Sequence, residues 1–360
     1  VLPSTPSDQA GFPKGVFMII ATSRITKRYY WENRENIMAY EMGWHSGHPG
    51  CIIFLIDQSD SMSSNWGSTE FSGIWCSSDR TSQPQPPGPV DFSFAFGAAK
   101  AVNQILGELI PRCRKGEEIL PFIRIGVYGY TGDSVEWAAP SIPPEKDGLV
   151  SISKLDLVTE EFLDTENESF IPWIVKEQAN GGRPMRAAFE KVTPIARNFA
   201  LNHPDSFPPI IVNITNGPPT DCDRKDLPDI VTPVKNIETS DGATLVFNIH
   251  LSAESSASVW FPNINDSLPD VYAENLLAAS STLPELFPPY LEMQSGWNKI
   301  SDGAKCLTFN ADFMLLIRST VVASCQAGIH AYGGGYDCDE CGSNFMTENL
   351  LNRHKDDVGH

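Results

Sequence analysis

Cys51-Ile52-Ile53-Phe54-Leu55-Ile56-Asp57-Gln58-Ser59-Asp60-Ser61-Met62 decides how this chain folds. The first half is a continuous apolar run of strand length. Such a run suits a strand covered on both faces, as in a parallel sheet flanked by helices. The run ends in Asp57, and Ser59 and Ser61 follow at alternate positions. A carboxylate and two hydroxyls therefore stand on the loop at the strand's carboxyl end, where open α/β sheets bind ligands. One carboxylate with two hydroxyls is hard-oxygen chemistry, suited to Mg2+ or Mn2+.

Outward from this stretch the pattern alternates. A loop is expected from Ser63 to Val90, because Gln83-Pro84-Gln85-Pro86-Pro87-Gly88-Pro89 suits neither helix nor central strand. Asp91 is expected to cap a helix to Ile110, with Phe94, Ala98, Ala101, Val102, Ile105 and Leu106 at helical spacing. Strands are expected over 120–130, 208–214, 243–249 and 306–309. Helices are expected over 185–201, 227–237, 268–281 and 283–293, with Asn310 capping a last one to Val322. The segment 134–180 reads as short strands plus one helical turn near Glu160 to Leu163. Strands alternating with helices of this length indicate a doubly wound, mainly parallel α/β sheet.

The opening stretch resembles the D-x-S-x-S motif of von Willebrand factor A domains, and the bacterial stand-alone members fit best. In that family three loops converge on a metal-ion-dependent adhesion site. The resemblance implies Asp57, Ser59 and Ser61 on the first loop. The second loop usually supplies Thr within G-G-T-P-M, and here the matching segment is Gly181-Gly182-Arg183-Pro184-Met185. The third usually supplies Asp within T-D-G, and here it is Thr215-Asn216-Gly217. Gly126-Val127-Tyr128-Gly129-Tyr130, His203 to Pro209 and Thr239-Ser240-Asp241-Gly242 extend the likeness over residues 38–325. Arg183 puts a permanent cation where a hydroxyl ligand is usual, Asn216 loses a charge, and Asp60 stands in place of a small Gly. Two readings follow: an Arg183–Asp57 pair in place of the metal, or Arg183 turned outward with Mg2+ on Asp57, Ser59, Ser61 and Asn216.

Composition narrows the function classes. The chain has 360 residues with a formal net charge of -19, a balance that opposes binding to nucleic acid or anionic membranes. No stretch approaches the roughly 18 apolar residues of a membrane span. Cys51, Cys76, Cys113, Cys222, Cys306 and Cys325 are scattered, which suits a reducing, cytoplasmic setting rather than a disulfide scaffold. Asn167, Asn213 and Asn265 match glycosylation sequons by chance, since Asn213 falls in an expected core strand. Residues 1–37 differ from the rest: Lys14, Arg24, Lys27, Arg28 and Arg34 outnumber Asp8, Glu32 and Glu35. They read as an extension before Met38-Ala39-Tyr40. The expected organisation is an extension (1–37), the α/β domain (38–327), a Gly-rich linker (328–335) and a terminal unit (336–360).

The terminal unit has the spacing C-x2-C-x12-H-x5-H through Cys338, Cys341, His354 and His360. Tyr336, Phe345 and Leu351 fall where a C2H2 zinc finger, which the segment resembles, places its apolar residues. Two thiolates and two imidazoles suit tetrahedral Zn2+, which would supply the folding energy so short a unit lacks. Of the helix positions that would face bases, Thr347, Leu350 and Arg353, only Arg353 reads a base well. The unit is acidic, so a structural or protein-binding finger is expected. No nucleophile elbow, P-loop or post-strand G-x-G-x-x-G is present, and His45, His48, His203 and His250 are dispersed. The sequence thus points to a non-enzymatic module that binds a protein partner.

Overall fold

The apolar run becomes the central strand of a sheet. The computed structural model describes residues 40, 42–44, 47–69, 74–76, 90–115, 117–157, 161–164, 169–172, 174–253, 258–284, 300–311, 315–316, 319, 336–337 and 344–345. Gly50–Asp57 is β1, buried along its whole length. Ile52, Phe54 and Ile56 enter one core, and Cys51, Ile53 and Leu55 enter the other. Each such side chain contributes roughly 1.5–3 kcal/mol when fully buried, so a strand with two apolar faces is held at the centre.

The remaining strands of this sheet are β2 (Ile123–Thr131), β3 (Ser134–Trp137), β4 (Val150–Ser151), β5 (Ile210–Thr215), β6 (Leu245–Leu251), β7 (Val259–Trp260) and β8 (Leu307–Ala311). Their order is β7-β8-β6-β5-β1-β2-β3, and β4 also pairs with β2. Strands β1, β2, β5, β6 and β8 run parallel, while β3, β4 and β7 pair antiparallel at the two edges. Helix α1 (Phe94–Arg112) covers one face. Helices α2 (Met185–Asn202), α3 (Leu227–Lys235) and α4 (Val271–Ala279) cover the other. This is the mainly parallel α/β sheet that the alternating pattern predicts, and the parallel order carries the ends of β1, β2 and β5 to one edge.

Several local expectations need correction. Residues 65–69 pair with 90–93, so Asp91 is extended and cannot cap α1. Ser93 does so, its hydroxyl accepting from Phe96 N at 3.1 Å. Glu161–Asp164 is a strand rather than a helical turn, because it pairs on both sides with 169–172 and 74–76. The helical turn falls earlier, at Ile152–Leu157. Asn310 lies within β8 at φ 53, and the residues that would start the helix expected after it, 312–314, lie outside the described residues. Residues 283–284 are not helical, and 285–299 lie outside the described residues.

A polar seam crosses the apolar interior. Tyr130 Oη donates to Asn213 Oδ1 (2.9 Å), Asn213 Nδ2 to Asn248 Oδ1 (2.9 Å), Asn248 Nδ2 to Ser280 Oγ (3.0 Å), and Ser280 Oγ to Leu276 O (2.7 Å). All four side chains are buried. A buried polar group is tolerable when hydrogen-bonded, and each link here satisfies the next. Burial of Asn213 also closes that sequon in the folded chain.

Near the start of the described chain, Tyr40 bonds to Asp241 O and to both N and O of Ala243. Its ring covers Gly242, where a Cβ would fall 2.8 Å from the ring atoms. Residues 1–39 and 320–335 lie outside the described residues. Among the described residues no helix is long and apolar enough to cross a membrane. At the far end, 336–337 pairs antiparallel with 344–345, Tyr336 opposite Phe345.

Candidate functional site

Three loops meet at the carboxyl ends of β1 and β5 and the start of α2. The first follows Asp57, whose Oδ1 accepts from Ser59 N at 2.9 Å and turns the chain into a short 3-10 turn, Asp60–Ser63. The second, Asn180 to Pro184, leads into α2. The third, Thr215 to Asp221, follows β5.

Asp60 binds the first loop to the second. Its Oδ1 accepts from Gly181 N at 2.7 Å, and its own N–H donates to Gly181 O at 2.9 Å. Gly181 adopts φ 65, and a Cβ there would meet the backbone of Gly132 at 2.8 Å. Both facts call for glycine. The Asp60 carboxylate is thus committed to a backbone amide, away from the oxygens of Ser59 and Ser61.

Arg183 binds the second loop to the other two. Nε donates to Asp57 Oδ2, Nη1 to Pro218 O at 2.8 Å, and Nη2 to Ser61 Oγ and Asn216 Oδ1. Ser61 Oγ in turn donates to Asn216 Oδ1 at 2.8 Å and lies 3.1 Å from Ser59 Oγ. Asp57 Oδ2 also receives Thr215 Oγ1 at 3.0 Å and Asn216 N at 3.2 Å. The side chain of Asp57 is 0% exposed and that of Arg183 is 9% exposed. A desolvated ion pair is tolerable only when its remaining donors and acceptors are met, as they are here. The structure therefore brings Asp57, Ser59, Ser61, Asn216 and Arg183 together, with Arg183 pointing inward and Asp60 one step aside.

The oxygens of this site are those a divalent cation would need, but they are already engaged. Asp57 Oδ2, Ser61 Oγ and Asn216 Oδ1 all accept hydrogen bonds from the guanidinium. As arranged, the site does not fit Mg2+ or Mn2+: a fixed cation holds the place where the ion's ligands converge.

Burial shifts three titratable groups around the pair. Burial pushes the His250 imidazole down to about 4, helped by the Arg183 charge and opposed by Asp270. Its ring stacks on Phe309 at 4.3 Å. Burial pushes the Tyr130 phenol well above its ordinary value, and the Asp57 charge adds to this. Tyr272 is raised by burial too, and its Oη donates to Gly217 O at 2.6 Å.

Some residues that build the site carry no motif. Thr220 Oγ1 accepts from Arg183 N at 2.7 Å. Asp221 accepts from Arg186 N (3.1 Å) and Ala187 N (2.9 Å), capping α2 from the third loop because Pro184 has no side-chain oxygen to do so. Asn103, in α1, accepts from Ile174 N (2.9 Å) and Val175 N (2.8 Å) and donates to Val175 O (2.8 Å). A lone Asn on the apolar face of a helix was the available signal for it. Cys338, Cys341, His354 and His360 lie outside the described residues; the short strands beside them in sequence form the hairpin noted above.

No protein-family model and no curated protein matches the chain. Similar solved structures include a von Willebrand factor type A protein from Catenulispora acidiphila, 11% identical, TM-score 0.32, covering 61% of this chain and 42% of that one. The vWF domain of the type V pili tip protein Mfa5 from Porphyromonas gingivalis is 10% identical, TM-score 0.37, covering 81% and 99%. The manganese-loaded TRAP protein of Plasmodium vivax is 12% identical, TM-score 0.28, covering 57% and 58%. The chain thus spans less than half the length of the Catenulispora structure, and its structural neighbours include von Willebrand factor A domains.

Proposed function

We propose that this chain is a non-enzymatic protein-interaction module, and that it grips its partner with the loop face around Asp57, Ser61, Arg183 and Asn216. One observation carries the reading. A single inward-facing side chain, Arg183, bonds to oxygens from both flanking loops and fixes all three in one arrangement. Preformed loop faces on a rigid sheet suit recognition. In the terms of the von Willebrand factor A resemblance, the site is a degenerate metal-ion-dependent adhesion site with the arginine in the metal's place. The terminal unit is proposed to bind Zn2+ through Cys338, Cys341, His354 and His360 and to act as a structural or protein-binding finger in a cytoplasmic protein.

Affinity capture from native lysate tests this, using the full chain, Asp57→Ala and Cys338→Ser, each with and without chelator. The reading expects a partner held by the full chain in chelator and lost on Asp57→Ala. Capture that needs added Mg2+ would favour a working metal site. Salt-sensitive retention of nucleic acid that requires Cys338 would favour a regulator acting through the finger.

A further inference from the structure

We infer that the oxygens around Arg183 form a latent divalent-cation site whose resident cation is the guanidinium. Three oxygens of different chemistry, the Asp57 carboxylate, the Ser61 hydroxyl and the Asn216 amide, come from two loops and accept from one side chain. A buried carboxylate with neutral oxygens aimed at the same point is a hard-cation donor set. Left without a counter-charge, Asp57 would be a desolvated anion, so the place is bound to hold some positive group.

The guanidinium fills it in a way an ion cannot. It is a fixed cation tethered to the second loop. It does not exchange with free Mg2+ or Mn2+, and a chelator cannot remove it. Gly217 is an independent sign that the third loop is shaped around this group: a Cβ there would fall 2.9 Å from Arg183 Nη1 and 3.2 Å from Cζ. The face is therefore set permanently, with no dependence on cation supply. The biological meaning of this inference rests on the proposed interaction face, but the chemistry does not.

The test is a Mn2+ titration of the full chain, preloaded with Zn2+ so that thiols do not take up Mn2+, with free Mn2+ followed by electron paramagnetic resonance. The native chain is expected to show no Asp57-dependent binding. Arg183→Thr is expected to bind Mn2+ at least about tenfold more tightly than native. That binding should vanish in Arg183→Thr/Asp57→Asn and strengthen in Arg183→Thr/Asn216→Asp. Native binding that Asp57→Asn abolishes overturns the inference. So does a folded Arg183→Thr that binds no better than native. If Arg183→Thr fails to fold, Arg183→Lys keeps a tethered cation in the same place, and Mn2+ uptake by that variant overturns the inference equally. None of these readings uses a partner, so failed partner capture alongside Mn2+ binding by Arg183→Thr would remove the proposed function and leave the latent site standing.

Discussion

Gly217 lies against the guanidinium of Arg183 with no room for a methyl group between them. The guanidinium cannot yield easily, because all three of its nitrogens are already bonded. Gly217→Ala is therefore expected to destabilise the chain by about 1–3 kcal/mol, the usual cost of overpacking. In Arg183→Ala/Gly217→Ala the second change should cost much less, since the obstructing group is gone. Denaturant midpoints of the four proteins give the coupling directly, and additive losses would contradict the contact.

The Asp57–Arg183 pair is buried at both ends. Removing one partner leaves a desolvated charge, so Asp57→Asn or Arg183→Met alone should each cost about 3–5 kcal/mol. The double variant should recover part of that loss, because neither charge is stranded. Urea unfolding monitored by tryptophan fluorescence would measure this, and a double variant as unstable as the sum of the singles would argue against an isolated pair.

His250 makes stability depend on pH. Its folded value is about 4, below the ordinary imidazole value. The folded chain thus binds fewer protons at this site than the unfolded chain does. The contribution is complete above about pH 6.5 and is lost as pH falls toward 4, with a slope of at most about 1.4 kcal/mol per pH unit. His250→Gln should flatten the pH dependence between about pH 6.5 and 5. An unchanged slope in thermal melts across that range would place the titration elsewhere.

Asn103 in α1 holds Ile174 and Val175, which share the core that α1 covers. Asn103→Leu should leave two backbone amides unsatisfied in a buried place, at about 1–3 kcal/mol. Exchange of the Ile174 and Val175 amides with deuterium should quicken more than exchange within β1. Equal acceleration everywhere would indicate general loss of stability instead of a freed segment.

Much of this arrangement was legible in the sequence, and the exceptions share a cause. β1 could be read because a continuous apolar run of strand length suits a strand covered on both faces. Arg183 and Asp57 could be paired on paper because a charge so close to a converging oxygen set has few other destinations. Asp60 could not be read in the same way. In sequence it is only a carboxylate in place of a small Gly, and its partner, Gly181 N, is more than a hundred residues away and carries no side-chain signature. The strand at Glu161–Asp164 was obscured for a similar reason: its conformation is imposed by pairing with two distant segments. Asp221 capping α2 from another loop is the same kind of long-range substitution for a missing local group.

The seam from Tyr130 through Asn213 and Asn248 to Ser280 has a consequence for how the chain finds its fold. Parallel strands with apolar residues on both faces are nearly interchangeable under a slip of one position as far as hydrophobic burial is concerned. The seam is not: moving β5 or β6 by one residue would send an amide to the opposite face and strand its donors in hydrocarbon. Asn213 and Asn248 therefore act as a key that only one alignment of the strands can turn. Replacing both by Leu would give a chain with more apolar surface and less certainty about which alignment to adopt.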